Sequence, residues 1–241
     1  MSRVAIVTGG SRGIGRAVAE RLAADGQDVV IAYASNDAEA KATVEAITAT
    51  GRRATAVKAD IADERAVAGL FDEAERLYGG VDVVVNAAGR MALSPVADLD
   101  LDTFDRIHRT NVRGAFVVAR EAARRVRAGG AIIGFSTTQT RLLYPGYAPY
   151  AAGKAATETL AAVLAKELRG RDVTANAVAP GPTATELFFD GKDEETVERF
   201  RKANPMERLG MPGDIAEVVS ALAGPARWIN GQTVFVNGGV A

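Results

Sequence analysis

Val4-Ala5-Ile6-Val7-Thr8-Gly9-Gly10-Ser11-Arg12-Gly13-Ile14-Gly15 decides the fold of this chain. Four apolar residues with no polar alternation read as a strand buried on both faces. A glycine-rich turn follows, and Ile14, Ala17, Val18, Arg21 and Leu22 then recur at helical spacing. A buried strand feeding a tight turn and a helix is the opening unit of a parallel α/β sheet.

The rest of the chain repeats that unit. Strands are expected at Val29 to Tyr33, Ala54 to Val57, Val81 to Val85, Ala131 to Phe135, Val173 to Ala179 and Thr233 to Val236. Helices are expected at Ala38 to Thr50, around Val67 to Leu77, over one long run from Phe104 to Arg127, and at Pro149 to Leu168. Regular alternation of this kind predicts one α/β domain over residues 1–241. Its core is a doubly wound, seven-stranded parallel sheet with helices on both faces. No internal repeat or composition break marks a second domain. One excursion, at about 183–212, breaks the alternation with prolines, the acidic Asp193-Glu194-Glu195 and the apolar Leu187-Phe188-Phe189. In a doubly wound sheet it emerges at the carboxyl edge, where ligands bind, and the apolar triplet is read as a lid, core packing or a subunit contact.

Composition narrows the function. The 241 residues carry a formal net charge of −1, 48% hydrophobic residues, no Cys and a single His. Disulfides, thiolate metal sites and His-rich metal sites are excluded, and no metal ligand set is assigned. His108 is read as a solvated helix residue, and Arg120, Arg124, Arg125 and Arg127 as the wet face of the long helix. Near-neutral charge gives no reason to expect nucleic acid or an anionic membrane as partner. No apolar run reaches the roughly 18 residues of a membrane span, and no secretory signal is read at the start. A cytoplasmic protein with a small-molecule ligand is expected.

The glycine turn suggests which ligand. Its spacing is Gly-x-x-x-Gly-x-Gly over Gly9, Gly13 and Gly15. Ser11, Arg12 and Ile14 complete a loop whose backbone can approach a pyrophosphate at a helix start. An ordinary glycine-rich turn is the plain alternative. The end of the second strand then selects the dinucleotide. NAD-binding folds usually place an acid there, whereas this chain has Ala34-Ser35-Asn36, and its first acid is Asp37. With Arg12 offering a cation for a 2′-phosphate, NADP(H) is preferred over NAD(H). Asp60 and Ile61 follow the third strand, and Asp60 either accepts from an adenine amino group or caps the next helix. Asn86-Ala87-Ala88-Gly89 follows the fourth strand, with residues small enough for a flat ligand to lie close.

Tyr150 and Lys154 lie four residues apart in a predicted helix, so phenol and ammonium share one face. A lysine cation beside a tyrosine favours the phenolate and makes it a candidate acid-base group. Alone, the pair equally fits a surface Tyr and Lys.

Taken in order, Thr8 to Gly15, Asp60, Asn86 to Gly89, Asn111, Ser136-Thr137, Tyr150 with Lys154, and Pro180-Gly181-Pro182-Thr183 resemble the short-chain dehydrogenase/reductase superfamily over the whole chain. The 3-oxoacyl-carrier-protein reductase and polyhydroxynaphthalene reductase branch is the most similar. The resemblance implies a Rossmann-type fold and assigns roles. Tyr150 would give a proton to a carbonyl oxygen, or take it back in the reverse direction. Lys154 would lower the Tyr150 pKa and hold the nicotinamide ribose. Asn111 would support a water-linked proton relay to the lysine, its plain alternative being a polar residue satisfied in its helix. Pro180, Gly181 and Thr183 would lie at the nicotinamide carboxamide, and Thr185 at the phosphates.

A hydroxyl at the end of the fifth strand would hold the substrate oxygen. The commonest family spacing points to Thr137, and the branch spacing, one residue longer, to Ser136. Ser136 is preferred because the branch resemblance runs on through Tyr144-Pro145-Gly146-Tyr147, with Thr138 a weaker third. The resemblance therefore implies an NADP(H)-dependent enzyme interconverting a ketone and a secondary alcohol, assembled as a homotetramer. A non-catalytic NADP(H) sensor and an epimerase that retains its cofactor are the alternatives carried forward.

Overall fold

A computed structural model describes residues 2–241. Seven strands form one sheet: β1 (Val4–Thr8), β2 (Asp28–Tyr33), β3 (Ala54–Lys58), β4 (Val81–Asn86), β5 (Val126–Phe135), β6 (Thr174–Pro180) and β7 (Thr233–Val236). Their order is β3-β2-β1-β4-β5-β6-β7, and every pairing is parallel. The order reverses direction between β1 and β4. Loops leaving those two strands therefore diverge and open a crevice at the carboxyl edge.

The helices between strands are α1 (Gly13–Ala24), α2 (Asp37–Thr48), α3 (Glu64–Tyr78), α4 (Leu101–His108) and α5 (Ala115–Arg125). They continue with α6 (Gln139–Leu142), α7 (Ala148–Glu167), α8 (Glu186–Phe189), α9 (Glu194–Ala203) and α10 (Pro212–Ala223). Strand periodicity divides the apolar residues between two layers. Ala5, Val7, Ile31, Val85 and Ile133 face α1 and α10 through Val18, Leu22, Ile215, Val219 and Leu222. Ile6, Val30, Val84 and Ile132 face α3, α5 and α7 through Leu70, Phe71, Val118 and Leu164. Phe71 is fully buried, and a side chain of that size contributes about 1.5–3 kcal/mol by burial.

Two expectations change here. The predicted helix from Phe104 to Arg127 is broken. It runs as α4, a π-helical turn over Arg109–Gly114, and α5. Residues Val126 and Arg127 leave the helix and begin β5, where Val126 pairs with Val81. The tether is Asp82. Its carboxylate takes the Val4 backbone N–H at 2.7 Å and the Arg127 Nε at 2.9 Å. Of the arginines, Arg124 stays exposed on α5 while Arg120, Arg125 and Arg127 are half-buried, and each is held in ion pairs. Arg120 pairs with Glu64, Arg124 with Glu121, and Arg125 with Asp72 and Glu75. The excursion after β6 folds as α8 and α9, and Thr183 bridges to Gly210 at its base. His108 stacks on Phe104 with ring centroids 3.9 Å apart. Among the described residues, no helix is long and apolar enough to cross a membrane.

Candidate functional site

The glycine turn and the loop after β4 meet at the crevice. Thr8 and Asn86 are register partners at the ends of β1 and β4. The Thr8 hydroxyl donates to the Asn86 Oδ1 at 2.5 Å and accepts the Ala88 N–H at 3.3 Å. Gly9 has φ +64°, and a Cβ there would lie 2.9 Å from the Ala88 backbone. A Cβ on Gly15 would lie 2.1 Å from the Gly9 carbonyl oxygen, so the start of α1 can close on the turn only as glycine. This is a cradle of bare backbone at a helix start, and it fits a dinucleotide pyrophosphate. Gly15→Ala is expected to cost about 1–3 kcal/mol of stability by overpacking. It should also weaken NADPH binding by about 100-fold. Urea unfolding and NADPH titration of the variant measure both.

The end of β2 adds a residue to the expected set. Arg12 does not reach toward β2; its guanidinium pairs with Glu186 of α8 at 3.2 Å, with both side chains exposed. An exposed pair contributes about 0–1 kcal/mol and is readily exchanged. The cation beside the end of β2 is Lys58, register partner of Tyr33, which the sequence reading missed. Its Nζ lies 3.2 Å from Asp37. The Tyr33 hydroxyl and Lys58 together hold the Asp37 carboxyl below its ordinary pKa. Asp37 is thus already partnered. Ala34, Ser35 and Asn36 are exposed, and Asn36 caps α2 by accepting the Glu39 N–H at 3.1 Å.

Asp60 caps no helix; Asp63 caps α3. Asp60 accepts the Ala62 N–H at 2.9 Å and pairs with Arg109 at 2.6 Å. The Ile61 side chain lies in the core beneath the crevice.

Helix α7 carries Tyr150, Lys154 and Glu158, one turn apart on one face. The Lys154 Nζ donates to the Phe135 carbonyl oxygen at 2.9 Å. Two of its three donors are left for a ligand. A Cβ on Gly89 would lie 3.0 Å from that nitrogen, so Gly89 keeps the approach open. Burial brings the Lys154 ammonium down from its ordinary value to about 8. Tyr150 shows part of its surface to the cleft, yet desolvation raises its pKa, partly opposed by a hydrogen bond with Thr137. In the ligand-free chain burial and Thr137 are the main influences on the phenol, and burial favours its protonated form. Asn111 sits in the π-helical turn and is pinned to the Arg90 backbone, donating to its carbonyl at 2.8 Å and accepting its N–H at 2.9 Å.

The strand-five hydroxyls are sorted by their partners. The Ser136 Oγ donates to Glu158 at 2.6 Å, and the Thr140 hydroxyl donates to the same carboxylate oxygen at 2.7 Å. Thr138 donates to the Ala179 carbonyl at 3.3 Å. Ser136 and Thr137 both line the cleft; the Ser136 hydroxyl is engaged by Glu158, and Thr137 is the hydroxyl that acts on the Tyr150 phenol. Ser136, with Thr140 and Glu158, fastens the β5 loop to α7. Thr137→Val is expected to lower kcat by about 100-fold, the scale for losing one donor to a developing oxyanion. Ser136→Ala should cost about 1 kcal/mol of stability and less than tenfold in kcat. The reverse order in steady-state kinetics would return the role to Ser136.

Ser136, Thr137, Thr138, Tyr150 and Lys154 line one cleft with Ile14, Ala87, Gly89, Pro180, Gly181, Thr183 and Thr185. Thr185 caps α8 and packs 3.5 Å from where a Gly13 Cβ would stand. Gly9, Ser11, Arg12, Gly13, Gly15, Ala34 to Asn36, Asp60, Ile61, Asn86, Ala88 and Asn111 lie outside that lining. Sequence reading missed Met91, Gln139, Tyr147, Lys192 and Phe200. Of these only Tyr147, one helical turn before Tyr150, left a local signal.

A family model described as enoyl-(acyl carrier protein) reductase matches residues 9–241. The chain is 46% identical to NADPH-dependent aldehyde reductase 2, chloroplastic, of Arabidopsis thaliana, covering 98% of this chain and 93% of that one. It is 39% identical to a versicolorin reductase of Emericella nidulans, covering 98% and 95%. A solved short-chain dehydrogenase from Burkholderia cenocepacia, in complex with NADP, superposes with a TM-score of 0.92. That structure is 38% identical and aligns over 99% of this chain and 97% of its own.

Proposed function

We propose an activity for a chain that belongs to the short-chain dehydrogenase/reductase family: it is an NADP(H)-dependent reductase of carbonyl compounds. The observation that carries the reading is the convergence of Tyr150, Thr137 and Lys154 on one cleft that opens beside the Gly9 to Gly15 cradle. NADPH, when bound, supplies a hydride to the carbonyl carbon. Tyr150 keeps its proton through neutral pH because burial raises its pKa, and it donates that proton to the carbonyl oxygen as charge develops there. Thr137 gives the same oxygen a second hydrogen bond. Lys154, with its charge and two free donors, would hold the nicotinamide ribose. Pro180, Gly181 and Thr183 would hold the nicotinamide end of the cofactor, and Ser11, Arg12 and Thr185 would hold its phosphates. Asn111 positions the Gly89-Arg90 segment against Lys154 through its bonds to Arg90.

Cofactor choice follows from the end of β2. No acid stands at positions 34–36 to receive a ribose hydroxyl, while the cations Lys58 and Arg12 are held only in exposed pairs with Asp37 and Glu186 that a 2′-phosphate can displace. The kcat/KM for NADPH is expected to exceed that for NADH by at least tenfold with aromatic aldehydes, ketones and quinones. Equal use of NADH would contradict the assignment, and tight binding without turnover of any carbonyl would leave a sensor.

Ketones are the proposed physiological substrates, and the cytoplasm the proposed compartment. The proposed assembly is a homotetramer. Phe116 on α5 and Val163 on α7 are large, exposed and apolar on the helices expected to pair, and Trp228, fully exposed before β7, suits the second interface. Leu187, Phe188 and Phe189 are proposed to close over the substrate. Leu187 and Phe188 line the cleft, and Phe189 is exposed beside them.

A further inference from the structure

Lys192, in the link between α8 and α9, lines the same cleft as Tyr150. Its Nζ is buried and, among the described residues, has no hydrogen-bond partner. The ammonium stands 5.0 Å from the centre of the Phe188 ring. Phe188 meets Phe200 edge-on at 5.5 Å, and Phe200 meets Tyr144 at 6.1 Å. A lysine head ordinarily reaches for water while its stem lies on apolar surface; this one turns its head inward.

The charge balance of the cleft points the same way. Its lining carries two lysines and no Asp or Glu. Lys154 already donates to the Phe135 carbonyl. Asp190 acts on Lys192 through charge alone, and burial outweighs it. A buried ammonium without an acceptor is unfavourable until something anionic arrives. The aromatic wall beside it suits a flat or apolar body.

We propose that Lys192 is the receptor for an anionic oxygen group, a carboxylate or phenolate, on the carbonyl substrate, whose apolar body lies along Phe188 and Phe200. The substrate class is then an oxo compound that carries both an anionic group and an aromatic or apolar frame. This deepens the reductase reading of the cleft and rests on it. The rival source of negative charge is a phosphate of the cofactor, and the test separates the two.

The probes are 4-formylbenzoate and its methyl ester, with NADPH, on the full chain and on Lys192→Met and Lys192→Arg. The acid-to-ester ratio of kcat/KM is expected to be ten or more. It should fall to near one in Lys192→Met and recover in Lys192→Arg. A ratio near one in the unaltered protein, or one that Lys192→Met leaves unchanged, overturns the proposal. So does a tenfold rise in the KM for NADPH with both aldehydes in Lys192→Met, which would give the lysine to the cofactor. If neither aldehyde is reduced, the reductase reading fails on this pair. Benzoate against benzamide binding, read by the fluorescence of bound NADPH, then decides for Lys192. Benzoate should bind at least tenfold tighter, with the difference gone in Lys192→Met; equal binding overturns the proposal.

Discussion

Tyr150→Phe is expected to lower kcat for carbonyl reduction by about 1,000-fold, within the range a positioned general acid contributes, while NADPH affinity changes less than threefold. The substitution removes one oxygen and keeps the ring that packs α7 against the cleft. What it takes away is the proton. Desolvation raises the Tyr150 pKa, and the hydrogen bond with Thr137 only partly opposes it. The phenol is therefore protonated throughout the neutral range, as reduction requires. In the oxidative direction the same group must first lose its proton, so alcohol oxidation is expected to rise with pH up to and beyond 10, the ordinary phenol value. Rates in both directions from pH 6 to 10.5 check this. A reduction rate that falls steeply between pH 6 and 7 would place another group in the role.

Lys154→Met should lower kcat/KM by at least 100-fold and make the ligand-free protein more stable at neutral pH. The activity falls because the charge and its donors leave the cleft. The stability gain follows from burial. Lys154 is protonated up to about 8 in the folded chain, against 10.5 for a free side chain. Below pH 8 both states carry the charge, and the folded state holds it buried. Between 8 and 10.5 the unfolded state binds more protons, so stability rises with pH across that window. At about 1.36 kcal/mol per pKa unit, the buried charge costs at most roughly 3 kcal/mol at pH 7. Methionine removes that cost but gives up the bond to the Phe135 carbonyl, worth about 1–3 kcal/mol when its acceptor is left buried. A net gain of about 1 kcal/mol is expected at pH 7, reversing above pH 10, as read by urea unfolding at the two pH values. A site that loses stability to its charged lysine is one built for a ligand.

Much of the fold was legible because parallel strands and their covering helices each carry a local period. Val81 to Val85 can only be a strand buried on both faces, and the run from Val67 to Leu77 only an amphipathic helix. The break of the long helix into α4, the π-helical turn and α5 was not legible. Arg109 to Gly114 is ordinary helical sequence. The start of β5 is set by Arg127 reaching Asp82, a partner 45 residues away.

The same division holds for the site. Gly9, Gly15, Asn86, Tyr150 and Lys154 sit at motif spacing and converge as the motif implies. Thr137 and Ser136 differ by one residue at a strand end and both line the cleft; that Glu158 engages the Ser136 hydroxyl is set by α7 and was not legible. Lys58 and Lys192 belong to no motif. Their roles arise from neighbours brought together by the sheet edge and by the fold of the α8–α9 segment.

The most direct test of the central claim is the fate of deuterium from [4,4-²H₂]NADPH during reduction of an aromatic aldehyde. Retention of the label on the carbinol carbon of the product, one alcohol formed per NADPH consumed, and loss of both in Tyr150→Phe are the predicted results. Alcohol without the label, label returned to the nicotinamide with no net consumption of cofactor, or full activity in Tyr150→Phe would contradict it.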